Sequence, residues 1–199
     1  MLSAAAFTGR LPGVDIRLAA GPKQALLTEL KAEALDLAVI AGRTDDEGIE
    51  ILSLWSEQIL LIVRDTHPFA SRAYADWMDL SDERILISRR GLGPELKEIL
   101  TAKVAVLGKP PITEEHAIGA EALLSLVAAD RGVSLHCEGT ITAPPVGLAM
   151  LEVHDGMGPS WLTYSVCWKK QHINPALPSF LALLRAHRSL LSSGRIPDT

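Results

Sequence analysis

The sequence is poor in cysteine, in aromatic side chains and in clustered positive charge, and none of its apolar runs reaches the roughly 18 residues of a membrane span. Its two cysteines, Cys137 and Cys167, lie too far apart for a CxxC redox or zinc motif and too few for a disulfide framework, so reduced, structural thiols are expected. Nineteen Lys and Arg stand against 24 Asp and Glu, a net charge of −5, and the only adjacent basic pairs are Arg89-Arg90 and Lys169-Lys170. A duplex-binding surface needs a basic stripe to displace counterions, and none is present. The start, "MLSAAAFTGR", has no secretory h-region, which gives an expectation of a cytoplasmic protein with no membrane association. There is no G-x-S-x-G elbow, no P-loop and no H-E-x-x-H, and the histidines share no metal-ligand spacing. Neither an enzyme nor a metal or cofactor carrier is expected.

What is present is a chain of 199 residues with nearly half its residues apolar, enough to bury roughly 70% of its unfolded surface without metal or disulfide. After Pro12-Gly13, "VDIRLAA" alternates like a strand and ends at Gly21-Pro22. A helix is expected from Lys23 to Ala34, with Leu26, Leu27, Leu30 and Ala34 on one stripe, delivering the chain into the apolar run Leu35–Ile40. Strand, helix and continuous apolar strand in succession predict a parallel sheet covered on both faces. Apolar stretches follow at Ile51–Leu54 and Ile59–Val63, then a break at "DTHPFA". Beyond it the pattern predicts a helical stretch over Tyr74–Leu80, a strand at Arg84–Ser88 and a helix over Glu95–Ala102. An extended segment at Ile112–Glu114 and a helix over Gly119–Ala129 come next, the helix ending where Gly132 can take a left-handed cap. Strands are then expected at Val133–Leu135, Leu148–Val153 and in "WLTYSVCWKK". The final helix is announced by Asn174 as N-cap and Pro175 at its first position.

Five stretches, "LPGVDIRL", "LLTELKAEALDLAVI", "LWSEQILLIVRDTHPFA", "LLSLVAADRGVSL" and "NPALPSFLALLR", together resemble the effector-binding (regulatory) domain of LysR-type transcriptional regulators, in family order and over nearly the whole chain. The resemblance implies an α/β fold of the type II periplasmic-binding-protein kind, two Rossmann-like lobes joined by crossover strands. The first lobe would take residues 1–64 with 160–199 and the second residues 65–159, and the first lobe would lack its first strand. It also implies a small-molecule effector, a carboxylate by the chemistry below, held between the lobes. A homodimer would form through helices 23–34 and 119–129. DNA would be met only through a helix-turn-helix domain that this chain does not contain. Departures from the family pattern are Asp130 where a capping glycine is usual, and His136-Cys137 where a proline tends to follow the strand. A transporter's solute-binding protein, an enzyme on the same fold, or a truncated fragment without DNA binding are the alternatives.

Ligands of α/β lobes gather at the carboxyl ends of strands, beside helix N-termini. Three stretches hold such positions. "GPKQ" offers Lys23 and Gln24, and "AGR" offers Arg43. "SRRGLG" offers Ser88, Arg89, Arg90 and Gly91, where glycine N–H groups beside two guanidiniums suit a carboxylate. His116 is added because it lies near an expected lobe crossover, while His136 and Cys137 read as wall.

Overall fold

A computed structural model describes residues 13–108, 110–141 and 143–186, and the chain divides into two compact units, Met1–Ser56 with Thr163–Thr199, and Glu57–Leu162. In chain order the elements are α1 (Lys23–Lys31), β1 (Ala38–Ala41), β2 (Ile49–Arg64), β3 (Tyr74–Asp76), β4 (Arg84–Ser88), α2 (Gly93–Val104) and β5 (Ile112–His116). They continue with α3 (Ala120–Ala128), β6 (Val133–Cys137), β7 (Leu148–Asp155), β8 (Gly158–Pro159), β9 (Trp161–Lys169) and α4 (Leu177–Ala186).

In unit 1, β1 runs antiparallel to β9, with Ala38 opposite Cys167 and Ala41 opposite Tyr164. The expectation of a parallel partner for this run is therefore corrected: its partner among the described residues is the returning strand. Leu27 and Leu30 of α1 pack on Ala38, Ile40 and Cys167, and α4 lays Leu177, Leu181 and Leu184 on Leu54, Trp55, Val166 and Trp168. Trp55 of β2 stacks on Tyr164 of β9, ring centroids 4.7 Å apart and planes within 10° of parallel.

Helix α1 stops earlier than Ala34. Glu33 takes φ +60, the Ala34 N–H reaches back to the Glu29 carbonyl, and the helix closes in a Schellman-type turn. The expected strand at "VDIRLAA" does not form. Residues 14–20 make no backbone hydrogen bond to any described residue, because alternation makes a segment competent for a sheet while only a neighbouring edge makes it a strand. Val14, Ile16 and Leu18 instead border a groove of about 610 Å3 whose other walls include Leu26, Leu37, Val39 and Phe180.

In unit 2 the sheet is mixed, parallel around β4 and antiparallel toward β2. β4 pairs in parallel with β5 on one side and β6 on the other, and β6 pairs antiparallel with β2. β2 is one strand of 16 residues where two apolar stretches are expected, and β7 also pairs with it. α3 places Leu123, Leu124 and Val127 over Ile62, Leu86, Ile141 and Leu148. Its end differs from expectation, since Asp130 takes the left-handed cap at φ +61 and the Arg131 N–H closes on the Leu126 carbonyl. Gly132 is required for a different reason: at φ +152, a Cβ there would sit 2.4 Å from the Arg84 carbonyl oxygen.

Tyr74–Leu80 is also corrected from helix. Tyr74–Asp76 is β3, paired in parallel with β7, and a 3-10 turn follows at Asp79–Asp82. The apolar periodicity there reflects Trp77 and Leu80 entering the core, at 3% and 0% exposure. Trp77 donates its indole N–H to Ser160 Oγ at 2.8 Å, both groups being buried. Trp77→Phe is expected to lower stability by about 1–2 kcal/mol, because it removes indole volume and strands the Ser160 hydroxyl. A urea midpoint unchanged from the parent would contradict this packing.

Candidate functional site

The three parallel strands of unit 2 end on the same side of the sheet, at Ser88, His116 and Cys137, and two helices begin there. Between β4 and α2 the chain must reverse within four residues. Gly91 takes φ +58 for that turn, and Gly93 lets the first residue of α2 lie directly against the end of β4. Ser88 fastens the turn from within. Its Oγ donates to the Ile118 carbonyl at 2.6 Å and accepts the Arg90 N–H at 2.9 Å. One hydroxyl thus ties the loop before α2 to the loop before α3, while the Arg89 N–H bonds the His116 carbonyl at 2.8 Å.

These loops close around a cavity of about 240 Å3. Ile87, Leu96, Leu123 and Leu135 form its apolar sides, Arg90, Gly91 and Gly119 line it from the loops, and His136 and Cys137 line it from the end of β6. Its size is below the 300–1,000 Å3 typical of drug-sized ligands, so a compact molecule fits best. Arg90 is exposed, and its guanidinium has no hydrogen-bond or ion-pair partner among the described residues. The start of α2 and the start of α3 add N–H groups and the positive ends of two helix dipoles.

The two wall residues from β6 are uncharged. Burial pushes the His136 imidazole down to about 4, and its Nε2 lies 2.8 Å from Ser134 Oγ. Burial, with Glu57 and Glu138 nearby, pushes the Cys137 thiol well up, so no thiolate forms near neutral pH. An anion entering this site meets a cation and two helix ends, and no opposing carboxylate lines it.

The residues expected from the sequence divide among several places. Ser88, Arg90 and Gly91 line the cavity together. Arg89 is on the loop surface, where its Nε meets Glu115 at 3.3 Å beside a Lys97–Glu115 pair that holds the Glu115 carboxyl below its usual range. His116 is half-buried on β5, its Nε2 3.2 Å from Glu114, and it does not line the cavity. Lys23, Gln24 and Arg43 belong to unit 1. Lys23 opens α1 with its ammonium 3.6 Å from where a Cβ on Gly42 would stand, and Gln24 and Arg43 are exposed. His136 and Cys137, read from the sequence as wall, line the cavity from the end of β6. Gly119, Ala120 and Thr140, which also line the cavity, carry no such signal in the sequence.

No group of His, Cys, Asp and Glu among the described residues is placed to hold a metal ion, and no described helix is long and apolar enough to cross a membrane. An α/β unit with a compact pocket at the carboxyl ends of its parallel strands is the architecture of a small-molecule-binding domain. The chain belongs to the LysR substrate binding domain family, whose profile matches residues 3–189. It is 22% identical over 176 residues to the HTH-type transcriptional regulator IlvR of Caulobacter vibrioides, an alignment covering 87% of this chain and 58% of IlvR. It is 29% identical over 85 residues to the HTH-type transcriptional regulator YybE of Bacillus subtilis, covering 43% of this chain and 29% of YybE. The chain therefore spans less than two thirds of the length of these relatives. Its fold is similar to that of the BenM effector binding domain solved with its effector benzoate, with a TM-score of 0.73 at 18% identity, covering 97% of this chain and 87% of that one.

Proposed function

We propose that this chain is the ligand-sensing part of a LysR-type transcriptional regulator and that the unit 2 pocket holds a small carboxylate effector. The observation that carries this reading is the 240 Å3 cavity itself, apolar along its sides and lined by Arg90, whose guanidinium has no partner among the described residues. The BenM effector binding domain, similar in fold, has benzoate as its effector, a carboxylate, which supports the same chemistry. Binding would shift an equilibrium between conformational or subunit arrangements by no more than the ligand's differential affinity for them. DNA contact in this reading belongs to a helix-turn-helix domain beyond these 199 residues. The homodimer is part of the same proposal, with α1 and α3 meeting reciprocally across a two-fold axis, an isologous contact. Light scattering that finds only monomer at tens of micromolar, an order-of-magnitude figure, would count against the dimer.

The reading is tested by a thermal-shift screen with small carboxylates. A bound acid at 100 times its dissociation constant raises stability by about 2.7 kcal/mol, well within detection. Arg90→Gln is expected to weaken the best acid about tenfold while leaving the melting temperature of the free chain unchanged, since losing a partly exposed charge-assisted hydrogen bond to the ligand corresponds to roughly 1.4 kcal/mol. A well-folded sample that no acid stabilises would remove the proposal's support.

A further inference from the structure

The unit 2 pocket is apolar on most sides, yet an imidazole is set into its wall. His136 is 3% exposed, and only Ser134, two residues back on β6, engages its ring among the described residues. That contact takes Nε2 and leaves Nδ1 as the ring's one remaining polar atom. A purely hydrocarbon ligand pressed against this wall would strand Nδ1 without water or a partner. A ligand oxygen placed there would satisfy it. The penalty for stranding a buried polar group exceeds the net gain from an average hydrogen bond, so such a wall discriminates mainly by rejecting the analogue that lacks the oxygen.

The tautomer narrows the chemistry. If Ser134 donates to Nε2, the ring carries its hydrogen on Nδ1 and offers a donor; if Nε2 donates to Ser134, Nδ1 is an acceptor. A hydroxyl can answer either state, whereas an oxo group answers only the first. A second carboxylate likewise answers only the first, and it would add a charge that the neutral ring does not compensate.

We propose that His136 is a specificity-determining residue of the unit 2 pocket and that the preferred ligand is a small hydroxycarboxylate, its carboxylate toward Arg90 and the helix starts and its hydroxyl on His136. This rests on the carboxylate reading above and goes beyond it by assigning the second polar group of the ligand.

The test uses the 199-residue chain with butyrate and its 2-, 3- and 4-hydroxy derivatives, with affinities read by calorimetry. At least one hydroxy acid is expected to bind ten times more tightly than butyrate or better. His136→Leu should bring that ratio to within twofold by weakening the hydroxy acid and sparing butyrate, and Arg90→Gln should weaken both equally. If His136→Leu does not fold, His136→Asn keeps a polar atom near the Nδ1 position and should retain a ratio between those of the parent and unity. In the parent, the ring nitrogen NMR signals of His136 should move with the hydroxy acid and stay in place with butyrate. Equal binding of all four acids, or a ratio that survives His136→Leu, overturns this inference and leaves the carboxylate reading standing. Failure of every acid to bind overturns both.

Discussion

Gly93→Ala is expected to destabilise unit 2 by about 3 kcal/mol or more and to abolish carboxylate binding, because among the described glycines it is the one where an added Cβ would come nearest to backbone. A Cβ on Gly93 would lie 1.7 Å from the Ser88 carbonyl oxygen and 2.7 Å from its carbonyl carbon. Those atoms are backbone at the end of β4, so no side-chain rotation relieves the conflict. Either α2 retreats from the sheet or the end of β4 bends. Both are walls of the cavity, and bending β4 also carries Ser88 away from Ile118 and Arg90. Alanine is the better helix former by about 1 kcal/mol, which opposes the effect without reversing it. Gly156→Ala is the control, because nothing lies within 4 Å of its Cβ position and its φ is not in the left-handed region. It is expected to change stability by less than about 0.5 kcal/mol. Urea unfolding followed by tryptophan fluorescence reads both, and matching midpoints for the two variants would mean that α2 does not begin against β4.

The importance of Gly93 was visible in the sequence only as half of a G-x-G. The loop "SRRGLG" is recognisable as a strand-to-helix connection because "RILIS" is a short apolar run and Pro94 marks the first turn of a helix. Nothing in the residue order says which of its two glycines bends the chain and which lets two backbones touch. The same limit separates Asp130 from Gly132. Sequence preference gives the left-handed cap to glycine, and the structure gives it to aspartate, because Gly132 is needed where the chain passes the Arg84 carbonyl.

Tertiary context likewise decides the two strand errors. "VDIRLAA" has the alternation of a strand, and no described edge receives it. Tyr74–Asp76 has little strand pattern, and β7 recruits it. At the pocket, the polar members Ser88 and Arg90 were legible from loop position, since ligands collect at strand ends. Arg89 next to Arg90 has the same chemistry, and only the fold shows that Glu115 takes it. His136 was hidden for a different reason. A histidine inside an apolar strand reads as packing, and its role depends on a cavity that β4, α2 and α3 assemble around it.

His136 also makes the stability of unit 2 expected to fall between pH 6.5 and 4, before the ordinary carboxylates titrate. In the unfolded chain the imidazole takes a proton near 6.5, while in the folded chain burial holds it to about 4. Between those values the unfolded state binds a proton that the folded state refuses, so stability rises with pH. The contribution is complete above 6.5, with about 2 kcal/mol lost by pH 5 and about 3 kcal/mol by pH 4. Glu152 and Asp155, lowered chiefly by hydrogen bonds from His154 and Lys103, are surface groups whose smaller losses come at lower pH. At the alkaline end the sign reverses. Burial raises both Cys137 and Cys167, the latter to about 11, so stability declines as the unfolded thiols ionise above about 9. His136→Gln isolates the acid limb, because glutamine keeps a polar amide for Ser134 and cannot take a proton. Urea midpoints measured from pH 7.5 to 4.5 should fall steeply in the parent and much less in His136→Gln, the two curves separating below pH 6.5. Parallel curves would show that this ring titrates alike in both states, and then it is not the buried, neutral group that the end of β6 sets into the pocket wall.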